Sequence, residues 1–300
     1  MEKLLVIGAK GQLGKELMHC LAGEKTELGT VPLFDMPYIF EGVDIDELDI
    51  TDREAVLEFI QKGAYTCLIN CAAFTNVNLC ESQEEAAFQA NKVGPENLAL
   101  AAKAIGAKLI HVSTDYVFDG EGTSPYKETD PVCPVSAYGR TKAAGEEAIE
   151  QVGGKYQIIR TAWLYGYYGR NFVKTIQQNG RDKGQLSVVS DQVGNPTNAA
   201  DLAHHILKLV TSDETGIFHG TGRGLCSWYD FASKIIEFSG IRAKVLPCRT
   251  EDYPTPAKRP HYSALDHSHL DEAVGDEFRP WEEALAYFVQ HQNDQIQEGI

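Results

Sequence analysis

The amino-terminal stretch Leu4-Leu5-Val6-Ile7-Gly8, continuing as AKGQLGKELMHCLA, restricts what this chain can become more than any other segment. Leu4 to Ile7 is an unbroken apolar run, which suits a strand covered on both faces. Gly8, Gly11 and Gly14 follow at three-residue spacing, and Lys15 to Ala22 then carries Leu17, Met18 and Leu21 at helical spacing. Glycines at such a turn let the backbone bend tightly and approach a pyrophosphate. The helix N-terminus offers that phosphate free N–H groups and partial positive charge. The spacing is GxxGxxG rather than GxGxxG; its place directly after an amino-terminal strand is what points to a dinucleotide.

The pattern then repeats. Thr30 to Phe34 is the candidate second strand. Asp35 after it, about twenty residues past the glycines, is placed to accept hydrogen bonds from an adenosine ribose. That leans towards NAD, with the choice between NADH and NADPH left open. Asp49 and Ile50 read as the end of a third strand, before a helix capped by Thr51 or Asp52 with Val56, Leu57 and Ile60 inward. Thr66 to Cys71 is a fourth strand, followed by the small Ala72 and Ala73 that let a flat cofactor pass close to the backbone. A helix over 91–106, a strand over 108–113 and a strand over 156–163 complete the alternation. Five rounds of strand and helix predict an α/β fold, a Rossmann-type doubly wound parallel sheet.

A second constellation lies in PVSAYGRTKAAGEE, residues 134–147. Tyr138 and Lys142 are four apart, so a helix capped by Ser136 presents a phenol and an ammonium on one face. A cation near a phenol favours the phenolate and lowers a pKa that starts near ~10, which predicts a proton donor and acceptor usable at neutral pH. Ser113 and Thr114 end the preceding strand, and a hydroxyl there can hold a substrate carbonyl beside the tyrosine.

Composition narrows the partners. A formal charge of −16 over 300 residues argues against a nucleic-acid face. The seven cysteines are odd in number and form no CxxC pair, which suits a reducing, cytoplasmic setting. No charged leader with a long apolar run opens the chain and no run of about 18 apolar residues occurs, so neither secretion nor a membrane span is expected. His261, His267 and His269 do not have the spacing of a helix-borne metal site and read as a surface loop.

From Leu164 the alternation breaks into YGYYGRNF, a plausible crossover to a smaller C-terminal substrate-binding domain. The expected division is 1–163 for the dinucleotide, with 197–222 returning to it, and 164–196 with 223–300 for the substrate. DYPTPAKRP carries three prolines and reads as a stiff extended loop presenting Lys258 and Arg259. Trp281 to Val289 is expected as a closing helix, with a frayed polar tail after it.

These motifs together resemble the extended short-chain dehydrogenase/reductase superfamily and, within it, the dTDP-4-dehydrorhamnose reductase family. The carriers are GAKGQLGKEL (8–17), NCAAFTNV (70–77), HVSTDYVFDG (111–120), PVSAYGRTKAAGE (134–146), RTAWLYG (160–166), NFVKT (171–175), DQVGNPT (191–197) and YPTPAKRP (253–260). The resemblance implies NADPH or NADH as hydride donor and the C4 ketone of dTDP-6-deoxy-L-lyxo-4-hexulose as acceptor. It implies Tyr138 as proton donor, Lys142 on the nicotinamide ribose, and Thr114 as assisting hydroxyl. Asp115 and Trp163 then match substrate-contacting positions, and Lys258 and Arg259 approach the diphosphate. Gly11, Gln12 and Leu13 match the cofactor loop; Asp35, Asp49, Ile50, Ala72, Ala73 and Thr75 match the other cofactor contacts. Some members bind magnesium through glutamates near a dimer contact. Glu16 matches one such position, but the closing helix reads LAYFVQ and departs from the pattern. A homodimer is left open. Two other readings share this scaffold: a non-catalytic regulatory subunit of the methionine adenosyltransferase type, and a sugar-nucleotide epimerase or dehydratase. The first needs no intact Thr114/Tyr138/Lys142 set. Dehydration is disfavoured because Tyr116, not a glutamate, follows Asp115.

Overall fold

The computed structural model describes residues 1–275 and 277–298. Its centre is a parallel sheet of six strands: β1 (Glu2–Ile7), β2 (Tyr38–Val43), β3 (Cys67–Asn70), β4 (Lys108–Thr114), β5 (Lys155–Thr161) and β6 (Gly216–His219). Their spatial order is β6-β5-β4-β3-β1-β2. Side chains alternate across the sheet. Leu4 and Val6 face one layer with Leu17, Leu21, Leu202 and Ile206, from the helices Gln12–Gly23 and Ala199–Thr211. Leu5 and Ile7 face the other with Val56, Ile60, Leu98, Ala101 and Ile149, from Arg53–Gly63, Gly94–Ile105 and Ala137–Val152. Helices on both faces make the sheet doubly wound, as expected. The strand order reverses between β1 and β3, and ligands of such sheets bind outside the carboxyl ends at that point.

A separate core gathers Tyr165, Val173, Ile176, Phe231, Ile235, Trp281 and Phe288. It is built from the helices Phe172–Lys183, Trp228–Phe238 and Trp281–Glu298 and a parallel strand pair, Gln185–Val189 with Lys244–Cys248. Leu270 and Phe278, from the segment expected there, pack into the first core instead. The closing helix runs past Val289 to Glu298, so helical backbone replaces most of the frayed tail; Gly299 and Ile300 lie outside the described residues.

Two expected strands are corrected. Residues 32–35 form a short 3-10 helix opened by Pro32, which sets the backbone angle for a turn. The second strand begins only at Tyr38. Asp49 and Ile50 end no strand; they lie in a turn-rich connection, where Asp49 accepts from the Thr51 N–H and hydroxyl at 2.9 and 2.8 Å.

Candidate active site

At the carboxyl end of β1 the chain turns through Gly8, whose φ of 78° is left-handed. A Cβ on Gly8 would lie 2.7 Å from the Ala72 nitrogen, and one on Gly14 would lie 2.1 Å from the Gly8 oxygen. These two glycines let the turn close on itself and on the loop after β3. The helix begins at Gln12, and its N-cap Gly11 supplies no side-chain bond to the first N–H groups. Those donors remain for a phosphate. The turn therefore fits a dinucleotide. Gln12 ties it to the second core, donating to Leu164 O at 3.3 Å and accepting from Asn171 at 2.9 Å. Leu13 is buried, so its part here is backbone only. Ala72 and Ala73 follow β3 beside Gly8. Asn91 holds that loop, donating to Phe74 O and accepting from Phe74 N–H, with exposed Thr75 next along.

Asp35 is not part of this crevice. β1 and β2 run parallel with Glu2 opposite Tyr38, so Asp35, which precedes β2, sits at the amino end of the sheet. The acid at the carboxyl end is Asp44. It accepts from the Lys10 N–H of the glycine turn and from Ile45 N–H, both at 2.9 Å. Ile50 is buried against Gly94, and its carbonyl accepts from Asn97 at 3.0 Å.

Across the crevice, Ser136 caps the Ala137–Val152 helix by accepting from Gly139 N–H at 3.1 Å. That sets Tyr138 and Lys142 facing the ends of β3 and β4. The Thr114 hydroxyl donates to Asp115 Oδ1 at 2.9 Å and accepts from Tyr116 N–H at 3.2 Å, near enough to the Tyr138 phenol to favour its ionised form, and Tyr116 packs edge-on against that ring at 5.5 Å. Ser113, the alternative hydroxyl, points to Glu146 and is not at this meeting place. The expected lowering of the phenol pKa is overturned in the free protein. Burial pushes Tyr138 well above its ordinary value, and the nearby Thr114 hydroxyl recovers only part of that. Lys142 is held elsewhere: its Nζ donates to Val112 O at 2.7 Å and lies 3.2 Å from His111 Nε2. Burial lowers its own pKa to about 8, against the upward pull of Glu146. His111 Nδ1 is in turn 3.0 Å from Asn70 Nδ2, and the Asn70 side-chain oxygen accepts from Ala72 N–H. A chain of polar groups thus runs from the loop after β3 to the lysine. Spacing along the chain does not reveal it, because its members lie on three separate elements.

Asp115 is 3% exposed and one carboxylate oxygen has no hydrogen-bond partner. Burial raises it to about 6, opposed by the hydroxyls of Ser263 and Thr114. Arg259 reaches the site, donating to the Tyr116 hydroxyl at 3.4 Å. Lys258 does not; it is 58% exposed and pairs with Glu121 at 3.7 Å. Trp163, just past β5, has a left-handed φ of 48° and stacks on Trp228 at 3.6 Å. Gly194 of the DQVGNPT loop packs on the same indole, where a Cβ would come within 2.8 Å.

The surroundings of Glu16 do not suit a magnesium ion. Burial, then Glu27 and Asp201, raise Glu16 to about 8, so it holds its proton. Arg279 already binds both Glu27, at 2.6 Å, and Asp201. Among the described residues, no group of three or more His, Cys, Asp or Glu is placed to hold a metal.

A parallel doubly wound sheet with a glycine turn at its switch point, and a Tyr/Lys helix opposite a threonine, defines an NAD(P)-type oxidoreductase of the extended short-chain dehydrogenase/reductase class. The family model described as RmlD substrate binding domain matches residues 1–293. A spore coat polysaccharide biosynthesis protein, SpsK, of Bacillus subtilis is 40% identical, covering 98% of this chain and 99% of its own. A dTDP-4-dehydrorhamnose reductase of Clostridium acetobutylicum superposes with a TM-score of 0.90 at 45% identity, over 98% of this chain and 99% of its own. The Bacillus anthracis dTDP-4-dehydrorhamnose reductase, solved in complex with NADP, gives 0.90 at 38% identity, over 97% and 99%. The chain belongs to the dTDP-4-dehydrorhamnose reductase family.

Proposed function

We propose that this protein reduces the C4 ketone of dTDP-4-dehydro-L-rhamnose with NAD(P)H to give dTDP-L-rhamnose, the last step of dTDP-rhamnose synthesis. The observation that carries the reading is the approach of the Thr114 hydroxyl to the Tyr138 phenol, on the helix that also bears Lys142, at the strand ends that the glycine turn also faces. When bound, the reduced dinucleotide supplies the hydride. Thr114 and Tyr138 hold the ketone oxygen between two hydroxyls, which orients the carbonyl and stabilises the developing alkoxide. Tyr138 gives that oxygen its proton. A phenol is protonated at neutral pH and burial moves Tyr138 further from ionisation, so the free enzyme carries the acid that a reduction consumes. Lys142 would hold the nicotinamide ribose and supply positive charge on the tyrosine's side of the crevice. Asp115 and Trp163 contact the sugar, and Arg259 meets the diphosphate with charge-assisted hydrogen bonds. Lys258 stands at the rim.

Residues 1–163 with 197–222 serve the cofactor, and 164–196 with 223–300 serve the sugar nucleotide, apart from the stretch around Leu270 and Phe278 that packs on the first core. The setting is the cytoplasm; among the described residues no helix is long and apolar enough to cross a membrane.

Tyr138→Phe tests the assignment. Oxidation of NAD(P)H in the presence of the 4-keto sugar nucleotide should fall about 10²–10⁴-fold, while cofactor binding stays within a few-fold. Retention of a tenth or more of wild-type turnover would remove the tyrosine from the mechanism. Wild-type protein that binds cofactor but never consumes it with this substrate would favour the regulatory reading.

A further inference from the structure

The end of β2 bears on which dinucleotide the crevice takes. Val43 is the last residue of β2 and pairs with Ile7, the last of β1, so both strands finish level with the glycine turn. The Val43 carbonyl accepts from Gly8 N–H at 2.9 Å and from Ala9 N–H at 3.0 Å. Asp44 follows directly, half-buried, with its carboxylate on the Lys10 and Ile45 N–H groups. A dinucleotide whose pyrophosphate lies over the N-terminus of the Gln12–Gly23 helix puts its adenosine ribose at this strand end. We propose that Asp44 receives the ribose 2′-hydroxyl and that Asp44, Asp46 and Glu47 together make this chain prefer NADH to NADPH. The inference rests on the reductase reading above and fixes the cofactor for it.

The argument is one of local charge. A carboxylate accepts hydrogen bonds from a ribose diol, and a third partner is open to Asp44 because two oxygens offer about four acceptor sites. A 2′-phosphate instead brings about −1.5 to −2 charge and acceptor oxygens only. It would need cations. The cation hydrogen-bonded at this turn is Lys10, and its Nζ already sits 3.0 Å from both Asp46 and Glu47. Lys10 is 54% exposed, so it can swing to a phosphate at little cost. Doing so leaves Asp46 and Glu47 uncompensated beside a dianion and Asp44 against it. The position after Asp44 is Ile45, which is 70% exposed and brings no charge.

The test is a titration of wild-type protein with NADH and with NADPH, without sugar nucleotide, followed by calorimetry or nicotinamide fluorescence. NADH should bind at least about tenfold more tightly, a difference that shrinks as salt rises from 10 to 300 mM because exposed charges are screened. Asp46→Lys should raise NADPH affinity several-fold and leave NADH nearly unchanged. Asp44→Ser should weaken NADH and improve NADPH. If Asp44 merely holds the glycine turn, Asp44→Ser weakens both alike and the ratio stays fixed, which overturns the role given to Asp44. Equal or tighter NADPH binding by wild type overturns the proposal while leaving the reductase reading standing. Binding of neither nucleotide overturns both.

Discussion

Glu146→Gln is the substitution whose consequences the structure specifies most fully. Glu146 lies one turn beyond Lys142 and two beyond Tyr138, on the same face of their helix. Its carboxylate meets Arg160 of β5 with Nη2 at 2.6 Å and Nε at 3.0 and 3.2 Å, and it accepts from Ser113 of β4. The side chains are 1% exposed for Arg160 and 4% for Glu146. The amide keeps the shape and removes the charge. Arg160 is then buried with Phe118 5.1 Å below it and His219 at 3.4 Å, neither an anion. Breaking one side of a buried pair costs about 3–5 kcal/mol. With an unfolding entropy of ~2.1 cal/mol/K per residue over 300 residues, that lowers Tm by roughly 5–8 °C. A second effect reaches the site. Glu146 is the charge that holds the Lys142 pKa up against burial, so without it the lysine loses its proton below about 8. Thermal melts and urea titrations of the variant and of Glu146→Gln/Arg160→Met check the reasoning. The double variant removes the stranded guanidinium and should recover at least half of the loss. A Tm within 1–2 °C of wild type for the single variant would refute it, as would a double variant that adds the two losses.

Three other outcomes follow from groups around the crevice. Lys142 has a folded pKa of about 8, below its usual 10.5, so the unfolded chain holds the extra proton between those values. Its contribution to stability therefore rises with pH across that window, and the stability gap to Lys142→Met should move the same way. Cofactor affinity should move oppositely, weakening about tenfold per pH unit above 8 if the ammonium is what binds the ribose; a flat Kd from pH 7 to 9.5 contradicts that role. Asp115 is raised from 3.8 to about 6, so its ionised form opposes folding above pH 6. Asp115→Asn should stabilise at pH 7.5 by up to about 3 kcal/mol, with the gain fading below pH 6 and gone near pH 4, while turnover falls; an unstable variant at pH 7.5 shows that its hydrogen bonds outweigh its charge. Trp228→Ala removes the ring that holds Trp163 in its left-handed conformation, a conformation that costs about 1–3 kcal/mol. KM for the sugar nucleotide should rise and cofactor Kd should not; equal effects on both would separate Trp163 from the sugar side.

What the sequence discloses, and what it hides, divides along local and non-local lines. The glycine turn, the Ser136 cap and the Tyr138/Lys142 face are legible because each is written within a few consecutive residues. The second strand is not. Tyr38–Val43 is an edge strand with alternating burial, so it lacks the continuous apolar run that marks β1, while Leu33-Phe34 imitates one at the wrong place. Misplacing that strand by eight to nine residues moved the ribose acid to Asp35, at the opposite end of the sheet from the glycines, and concealed Asp44. The Arg160–Glu146 pair, the Asn70–His111–Lys142 chain and the Trp163–Trp228 stack each join separate elements, and no spacing announces them.

The reversal at Tyr138 has the same origin and carries the larger lesson for mechanism. Helical spacing correctly brings a cation onto the tyrosine's face, and charge alone then argues for a phenolate. Burial is a property of the finished fold, and here the lysine is turned to Val112 and His111 instead: burial, with Asp115 adding to it, pushes the phenol up, burial pushes the ammonium down, and each group leans towards its neutral form. A neutral phenol is the state a reductase needs before hydride arrives, since the new alkoxide must take a proton from somewhere inside a closed crevice. A depressed phenol would suit the reverse oxidation. The packing around the half-buried Tyr138 ring therefore leaves its proton in place for reduction, with the Thr114 hydroxyl already near it before any ligand is present.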